Sequence, residues 1–217
     1  MSASADKLQA LALCPVSRET EQRLDQLVDL LRRWQTIKNL VGPRTLDEVW
    51  MRHIADSLQL ASLRPDIRRW ADFGSGAGFP GLVVASTWID QDREMHLVES
   101  NGRKAAFLRE AARALGMSVI VHDCRVDEAM AMLLTRDIEL VSARALSSLD
   151  QLIEMAEPLL KKGAEGLFLK GQDVDNELTK ATKCWIFRAS LLPSKTDLAG
   201  RIVTLTQVAR VESEQEL

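Results

Sequence analysis

The stretch Asp72-Phe-Gly-Ser-Gly-Ala-Gly-Phe-Pro-Gly81 decides how the rest of the chain can be interpreted. A short apolar run precedes it and a helical pattern follows it, so it lies where a strand turns into a helix. Its four glycines let the backbone turn sharply and approach a ligand without interference from a Cβ atom. Pro80 suits the first turn of the following helix, where its missing N–H would have had no partner. We interpret the stretch as a loop that binds a nucleotide cofactor.

Outward from this loop, short apolar runs alternate with helical patterns, which is typical of a parallel sheet with crossover helices. Five strands are predicted near residues 70–73, 94–98, 118–122, 138–142 and 166–170. Helices are predicted between them at 80–88, 101–115, 127–134 and 148–160, the last beginning with a capping box of Ser148 and Gln151. After a polar helical segment near 173–182, two β-rich stretches at 184–192 and 201–208 indicate an antiparallel hairpin. The sequence therefore predicts seven strands.

The N-terminal part of the chain has a different pattern, which predicts helices alone. Apolar residues at helical spacing predict one amphipathic helix from Arg18 to about Leu40. Thr45 and Glu48 have the spacing of a capping box and predict the start of a second helix. We expect residues 1–65 to form a helical cap within the same compact unit as an α/β domain at 66–210, followed by an acidic tail at 211–217.

Composition places the chain among globular proteins, with 46% hydrophobic and 27% charged residues. No stretch has the pattern of a signal peptide or a membrane span, so we expect a cytoplasmic protein. The three cysteines are widely spaced and have no histidine cluster near them, so neither a metal site nor a disulfide framework is expected. The net charge of −3 argues against general binding to nucleic acid, so any contact with RNA must be local.

Two classes of cofactor fit the glycine loop. Its last three glycines satisfy the dinucleotide fingerprint, which leaves NAD, and with it an NAD-dependent oxidoreductase, as an alternative. Asp72 and Gly74 extend the pattern to D-x-G-x-G-x-G, which resembles motif I of S-adenosylmethionine methyltransferases. The predicted terminal hairpin and the helical cap favour the methyltransferase.

Acidic residues after the next two strands complete the predicted cofactor site. Glu99 ends the second strand, 21 residues after Gly78, where a carboxylate is expected to accept hydrogen bonds from the two ribose hydroxyls. The segment Asp123-Cys-Arg-Val-Asp127 follows the third strand, where folds of this kind hold the adenine.

Six motifs occur in order over roughly residues 24–178. They are Asn39-Leu40, Arg52-His53-Ile-Ala-Asp56-Ser57, the loop 72–81, Glu99-Ser100 with Arg103-Lys104 and Phe107-Leu108, Ser142-Ala-Arg144-Ala145, and Leu169-Lys170-Gly171. Together they resemble the 16S ribosomal RNA guanine-N7 methyltransferase family, RsmG, also called glucose-inhibited division protein B. The resemblance implies a Rossmann-like, seven-stranded class I methyltransferase fold, α/β in class, with an N-terminal helical extension. It also implies methyl transfer from S-adenosylmethionine to N7 of a guanine.

The loop, Glu99 and the family resemblance define the residues that we expect to bind the cofactor. They are Asp72, Gly74, Ser75, Gly76, Gly78, Phe79, Glu99, Ser100, Arg125, Val126, Asp127 and Arg144.

Guanine N7 carries a free lone pair and no proton, so its methylation needs no general base and depends on positioning. We therefore expect no acid or base catalyst and assign the positioning role to Arg144. The segment Ser142-Ala-Arg144-Ala145 has neither the Asn-Pro-Pro-aromatic signature of amino-group methyltransferases nor the cysteine nucleophile of cytosine-C5 enzymes.

Basic residues around the first two helices are candidates for contact with RNA phosphates. With residues from the matching motifs, the expected RNA-binding set is Arg32, Arg33, Lys38, Arg44, Arg52, His53 and Lys170. Arg52 and Asp56 are equally consistent with an ion pair on one helix face. The expected partner is 16S ribosomal RNA or the small ribosomal subunit, bound by a monomer without membrane contact. A non-catalytic cofactor-binding regulator remains an alternative.

Overall fold

The computed structural model describes residues 3–36, 40–42, 45–88 and 92–211. Its helices in these ranges are α1 (Ala3–Leu13), α2 (Arg18–Gln35), a π-helix (Trp50–Ala55) that continues into α3 (Asp56–Leu63), α4 (Gly81–Ser86), α5 (Gly102–Ala114), α6 (Val126–Leu133), α7 (Leu149–Lys161) and α8 (Val174–Ala181). The strands are β1 (Arg69–Phe73), β2 (Glu94–Val98), β3 (Val119–His122), β4 (Leu140–Arg144), β5 (Glu165–Lys170), β6 (Trp185–Pro193) and β7 (Arg201–Arg210). Among the described residues, no helix is both long enough and apolar enough to cross a membrane.

The strands form one mixed sheet in the order β3-β2-β1-β4-β5-β7-β6. The first five strands pair in parallel, whereas β7 runs antiparallel to both β5 and β6. In the described part of the chain the sheet thus has the seven predicted strands and the predicted hairpin. Because β1 lies between β2 and β4, the strand order reverses there, and the carboxyl ends of neighbouring strands open a crevice at such a point.

Helices cover both faces of the sheet. One face packs against α1 to α5 and the π-helix through a core that includes the fully buried Leu24, Leu31 and Trp70. The other face packs against α6, α7 and α8 around Phe73 and Phe168. The cap helices therefore share their hydrophobic core with the sheet. All five tryptophans belong to these two cores or pack against them, as their apolar positions predict.

The N-terminal helices differ from the sequence pattern in where they begin and end. The predicted helix from Arg18 is confirmed as α2, but it ends at Gln35 rather than near residue 40.

At α7, Ser148 takes the predicted N-cap position. Its hydroxyl donates to the side chain of Gln151 at 3.0 Å instead of accepting from the backbone, so the predicted capping box is only partly correct.

The capping box predicted for Thr45 and Glu48 is wrong. Thr45 Oγ1 donates to a backbone carbonyl three residues earlier, at 2.6 Å. Asp6 of α1 caps the π-helix instead, because its buried carboxylate accepts from the N–H groups of Trp50 at 2.9 Å and Met51 at 3.2 Å. The cap of this helix therefore comes from a residue 44 positions earlier in the chain, which no local pattern indicates.

Candidate functional site

The glycine loop lies at the carboxyl end of β1, in the crevice where the strand order reverses. It occupies residues 74–80, between the last residue of β1 and the start of α4 at Gly81. Gly78 has a φ of +89°, and a Cβ there would lie 2.4 Å from Leu82 Cδ1. A Cβ at Gly81 would lie 2.2 Å from Leu97 Cδ2. Gly78 is therefore needed for the turn, and Gly81 for the close packing of α4 on the sheet.

The buried side chains of Asp72 and Ser75 hold the backbone of this loop through hydrogen bonds. Asp72 is fully buried, and its carboxylate accepts from the Gly81 N–H at 3.1 Å and from Ser142 Oγ at 2.7 Å. Ser75 is 1% exposed and donates its hydroxyl to the backbone carbonyl of Asp72 at 2.8 Å. Burial raises the pKa of Asp72 to about 6, although its hydrogen bonds act in the opposite direction. The side chains of both predicted cofactor-binding residues are thus enclosed beneath the loop, where they hold its backbone.

Glu99 connects the loop to the next helix. Its Oε2 accepts from the Gly76 N–H and its Oε1 accepts from the Asn101 N–H, each at 2.8 Å. Asn101 in turn caps α5 by accepting from the backbone N–H groups of Arg103 and Lys104. The predicted acidic residue at the end of β2 is therefore fixed directly beside the glycine loop.

A cavity of about 720 Å³, which we call the loop cavity, opens beside Glu99 and the loop. Its lining residues are Gly74, Gly76, Val98, Glu99, Ser100, Lys104, Cys124, Arg125, Val126, Asp127, Met130, Ala145, Leu146, Glu154, Met155, Glu157 and Pro158. Seven of the predicted cofactor residues meet here: Gly74, Gly76, Glu99, Ser100, Arg125, Val126 and Asp127. Asp72, Ser75, Gly78, Phe79 and Arg144 are not part of this lining. Sequence reasoning missed the wall from α7, since nothing in its local pattern separates a residue that faces a cavity from one that faces the core.

Arg144, at the end of β4, joins the sheet to the helical cap. Its Nη1 donates to the backbone carbonyl of Arg52 at 2.8 Å and lies 3.3 Å from Asp56 Oδ2. Its Nη2 lies 2.6 Å from His53 Nδ1, and the guanidinium stacks over the Phe79 ring at 5.6 Å. Arg144 is thus the centre of a half-buried cluster that spans both parts of the chain.

His53 is the buried titratable member of this cluster. Its ring is 9% exposed and stacks on Phe79 with the centroids 4.6 Å apart and an interplanar angle of 14°. Burial, and after it the positive charges of Arg144 and Arg52, lowers the pKa of His53 to about 3. His53 Nε2 is buried and has no hydrogen-bond partner, the one such side-chain atom among the described residues.

A second cavity of about 580 Å³, which we call the cap cavity, lies between the helical cap, the ends of β4 and β5, and the tip of the β6–β7 hairpin. Its lining residues are Thr45, Met51, Arg52, His53, Asp56, Arg144, Ala145, Leu169, Lys170, Gly171, Glu177, Ser194, Thr196, Asp197, Gly200 and Arg201. The hairpin tip is held by Thr196 Oγ1, which donates to Asp56 Oδ1 at 2.8 Å. Ala145 lines both cavities, so the two spaces adjoin at the end of β4.

The described residues among those predicted to contact RNA differ in exposure and in partners. Arg32 and Arg33 are exposed in the last turn of α2, and Arg52 is exposed but bonds Glu48 at 2.7 Å. The ion pair considered for Arg52 and Asp56 does not form, since Arg144 and Thr196 contact the Asp56 carboxylate.

Two predicted RNA-binding residues lie inside the molecule, and two others cannot be placed. Lys170 donates to the Ser147 carbonyl at 2.8 Å and pairs with Glu177 at 2.5 Å, with its side chain 9% exposed. Lys170 and His53 are therefore wall residues of the cap cavity, and their contact with RNA stays a prediction. The predicted Lys38 and Arg44, together with the motif residue Asn39 and the acidic tail after residue 211, lie outside the described residues.

Comparison with known proteins agrees with the sequence motifs. The family model described as rRNA small subunit methyltransferase G matches residues 20–198. A ribosomal RNA small subunit methyltransferase G from Nitrobacter hamburgensis is 52% identical over 208 residues, which are 95% of this chain and 80% of the relative. The protein of the same name from Bradyrhizobium sp. (strain BTAi1) is 51% identical over 208 residues, 95% of this chain and 93% of the relative.

Solved structures with similar folds include two O-methyltransferases. An O-methyltransferase from Bacillus cereus in complex with SAH has a TM-score of 0.60 and 12% identity, covering 94% of this chain and 97% of that chain. A putative O-methyltransferase from Klebsiella pneumoniae has a TM-score of 0.59 and 12% identity, covering 94% and 96%. At this identity the likeness concerns the fold alone, and it confirms the class I methyltransferase fold predicted from the sequence.

Proposed function

The chain belongs to the rRNA small subunit methyltransferase G family, and from this premise we propose that it transfers a methyl group from S-adenosylmethionine to N7 of a guanine in 16S ribosomal RNA. The observation that carries the proposal is the meeting of two cavities at Ala145. One lies beside the glycine loop and Glu99, and the other is lined by charged side chains of the cap. Two adjoining cavities can hold a methyl donor and an acceptor base in reacting distance, which is the main requirement of the reaction.

The loop cavity suits S-adenosylmethionine in size and in chemistry. Its volume of about 720 Å³ lies within the range typical of small-molecule sites. Val98, Met130 and Met155 provide apolar walls that fit an adenine ring. Each Glu99 oxygen accepts one backbone N–H and keeps a lone pair that can accept from a ribose hydroxyl. When bound, S-adenosylmethionine supplies a methyl group carried on a positively charged sulfur.

We assign the predicted cofactor residues to two tasks. Those that line the loop cavity hold the cofactor directly: Gly74, Gly76, Glu99, Ser100, Arg125, Val126 and Asp127. Asp72, Ser75 and Gly78 instead maintain the shape of the loop, through the buried contacts described above. Arg144 lines the cap cavity, where it orients the reacting partners, and Phe79 packs against its guanidinium.

No residue of the cap cavity needs to accept a proton in this reaction. N7 of guanine supplies the lone pair for the new N–C bond, and the positive charge passes to the guanine ring as the bond to sulfur breaks. His53 is already neutral near pH 7, since its pKa is about 3, and its Nδ1 faces the Arg144 guanidinium. The side chains around the cavity therefore act by orienting the base and excluding water rather than by acid or base catalysis.

The partner that we propose is 16S ribosomal RNA, either free or within the small ribosomal subunit. The relatives are named for a small-subunit ribosomal RNA activity, and the exposed Arg32 and Arg33 offer a local positive surface on a chain whose net charge is −3. We propose that the chain acts as a monomer in the cytoplasm.

The deciding experiment measures tritium transfer from labelled S-adenosylmethionine to deproteinised 16S ribosomal RNA and to small subunits, followed by nucleoside analysis. The expected product is 7-methylguanosine at one position. A labelled product methylated on another atom would contradict the assignment to N7. The same measurement separates the alternatives, because a non-catalytic regulator would bind S-adenosylmethionine without transfer. An oxidoreductase would bind NAD in calorimetry, and we expect no such binding.

A further inference from the structure

The cap cavity contains a buried hydrogen-bond donor that has no acceptor. A guanidinium can only donate, so with Arg144 Nη2 at 2.6 Å, His53 Nδ1 must be the accepting nitrogen of the ring. The ring is neutral, so its single proton lies on Nε2, the atom without a partner. Leaving a buried donor unsatisfied destabilises a folded chain, and native proteins do so rarely. The stacking of His53 on Phe79 nevertheless fixes the ring in this orientation.

Arg144 is not free to take hold of a guanine in the usual way. Its guanidinium is already directed to the Arg52 carbonyl, to Asp56 and to His53. Arginine ordinarily recognises guanine by donating to O6 and N7 together. Such a contact would occupy the N7 lone pair, which is the electron pair that must attack the methyl group. A single donor directed at O6 would recognise the same base and leave N7 free.

We propose that the cap cavity receives the target guanine and that His53 Nε2–H donates a hydrogen bond to its O6. This inference rests on the proposed function and names the acceptor pocket for it. Ala145 lines both cavities, so a base in the cap cavity lies next to the cofactor. Adenine carries an amine donor where guanine carries O6, so the same contact rejects adenine. Because Nε2 is enclosed in the chain alone, the base reaches it only by opening part of the cavity wall.

Two substitutions of His53 separate this role from a purely structural one. In His53→Asn, the side-chain oxygen replaces Nδ1 as the acceptor for Arg144, but no donor remains at the position of Nε2. In His53→Gln, the longer side chain can place an amide N–H near the position of Nε2. We expect His53→Asn to lower kcat/KM for RNA by about tenfold to a hundredfold. His53→Gln should retain more activity, and both variants should bind S-adenosylmethionine within about threefold of the parent Kd, the scatter expected when no hydrogen bond is lost.

A modified substrate tests the contact from the side of the base. In RNA with 2-aminopurine at the target position, the base keeps N7 but lacks O6. We expect the parent chain to lose about tenfold to a hundredfold in single-turnover rate on this RNA, whereas His53→Asn should lose little beyond its existing defect. Equal losses for both chains would overturn the proposal. So would an undiminished rate of the parent chain on the modified RNA, a result that does not depend on any variant folding.

Two further readouts complete the test. Nitrogen-15 NMR of the His53 ring should show the proton on Nε2, and its resonance should shift when RNA binds in the presence of the demethylated cofactor. A proton on Nδ1 would contradict the assigned donor. A loss of S-adenosylmethionine affinity in His53→Asn that accounts for the lost rate would mean that His53 serves the cofactor instead. If the parent chain methylates no guanine N7 at all, the proposed function fails; if it does but ignores the loss of O6, only this inference fails.

Discussion

At the scale of single residues, two carboxylates at neighbouring strand ends have different tasks. Glu99 is at the edge of the loop cavity and bonds two backbone N–H groups, whereas Asp72 is enclosed beneath the loop. The sequence predicts both as residues that bind the cofactor. Their burial separates a residue that can contact a ligand from one that shapes the loop around it.

We expect Glu99→Ala to weaken S-adenosylmethionine binding by about 1–3 kcal/mol, because it removes charged acceptors from the ribose hydroxyls. It also frees the N–H groups of Gly76 and Asn101, which Glu99 holds. Isothermal titration calorimetry measures the change. Glu94→Ala, at the opposite end of the same strand, is the matched control and should bind like the parent. An unchanged Kd in folded Glu99→Ala would mean that Glu99 does not hold the ribose.

The buried Asp72 predicts a pH dependence of stability. Its folded-state pKa of about 6 lies above the ordinary value of 3.8, so the folded chain binds this proton more tightly than the unfolded chain does. Stability from this group is therefore present below about pH 4 and is lost as the pH rises through about 6. Relative to Asp72→Asn, which cannot titrate, the parent should lose about 2 kcal/mol of unfolding free energy between pH 4 and 7. Urea unfolding of both chains at several pH values measures this loss. A parent chain that keeps or gains stability relative to Asp72→Asn as the pH rises from 4 to 7 contradicts the prediction.

The rate of methyl transfer should not depend on the ionisation of an enzyme base. In single turnover with saturating cofactor and RNA, we expect a flat rate between about pH 6 and 9. The physical reason is that N7 attacks with its own lone pair and that His53, with a pKa of about 3, stays neutral throughout this window. Arg144→Ala should lower the rate by a similar factor at every pH, since it disturbs orientation only. A rate that rises tenfold per pH unit and levels off at a pKa removed by one mutation would instead indicate a target atom that carries a proton.

At the scale of secondary-structure elements, the π-helix is held in place by α1. The Asp6 carboxylate accepts from two N–H groups at the start of this helix, and the helix presents Arg52 and His53 to the cap cavity. A first-turn N–H has no acceptor within its own helix, so a carboxylate from another element can satisfy it. The position of His53 therefore depends on the docking of a helix that lies far from it in the chain.

We expect Asp6→Ala to lower the free energy of unfolding by about 1–2 kcal/mol, the usual cost of losing a helix cap. Asp29→Ala, which removes an exposed carboxylate on α2, is the control and should change stability little. Urea unfolding monitored by tryptophan fluorescence measures both. Equal stability of the parent and Asp6→Ala would show that the carboxylate contributes nothing to holding the π-helix.

At the scale of the whole molecule, the helical cap is part of the site rather than an appendage. Its helices share a hydrophobic core with one face of the sheet, and its residues form one wall of the cap cavity. Arg144 bonds across the boundary between the two parts. We therefore propose that residues 1–65 and 66–210 act as one unit, in which the cap completes the acceptor side and the sheet supplies the cofactor side.

The exposed Arg32 and Arg33 predict a local contact with RNA. Replacing both with Ala should weaken RNA binding and leave cofactor affinity unchanged. The slope of the logarithm of the binding constant against the logarithm of salt concentration should become shallower by about one to two, because fewer ions are released. The matched control replaces Arg113, which is exposed in the last turn of α5, and Arg136, which is exposed after the end of α6. Binding measured over a range of salt concentrations distinguishes them. An identical salt slope in parent and variant would show that Arg32 and Arg33 are only a solvated helix face.

Local patterns in the sequence were sufficient for the fold and for the cofactor side of the site. The alternation of apolar runs predicts β1 to β7 and the hairpin, because burial periodicity and turn residues act over a few neighbouring positions. The loop 72–81 and the spacing to Glu99 predict the loop cavity, since the carboxyl ends of adjacent parallel strands always meet at one edge. The ordered motifs predict the family, because each motif is a short signature that can be recognised from neighbouring residues alone.

Only the tertiary structure decided which residues form the cap cavity. His53 and Arg144 are separated by 91 residues, and Asp6 and Trp50 by 44, so neither contact is visible as a spacing. Arg52 pairs with Glu48 rather than with Asp56, because Arg144 and Thr196 contact the Asp56 carboxylate. Burial likewise separates Asp72 from Glu99 and encloses Lys170, because exposure is a property of how elements pack and not of residue type. The sequence by itself determined which elements form and where the glycine loop lies, and the packing of the cap on the sheet determined which side chains line the cap cavity.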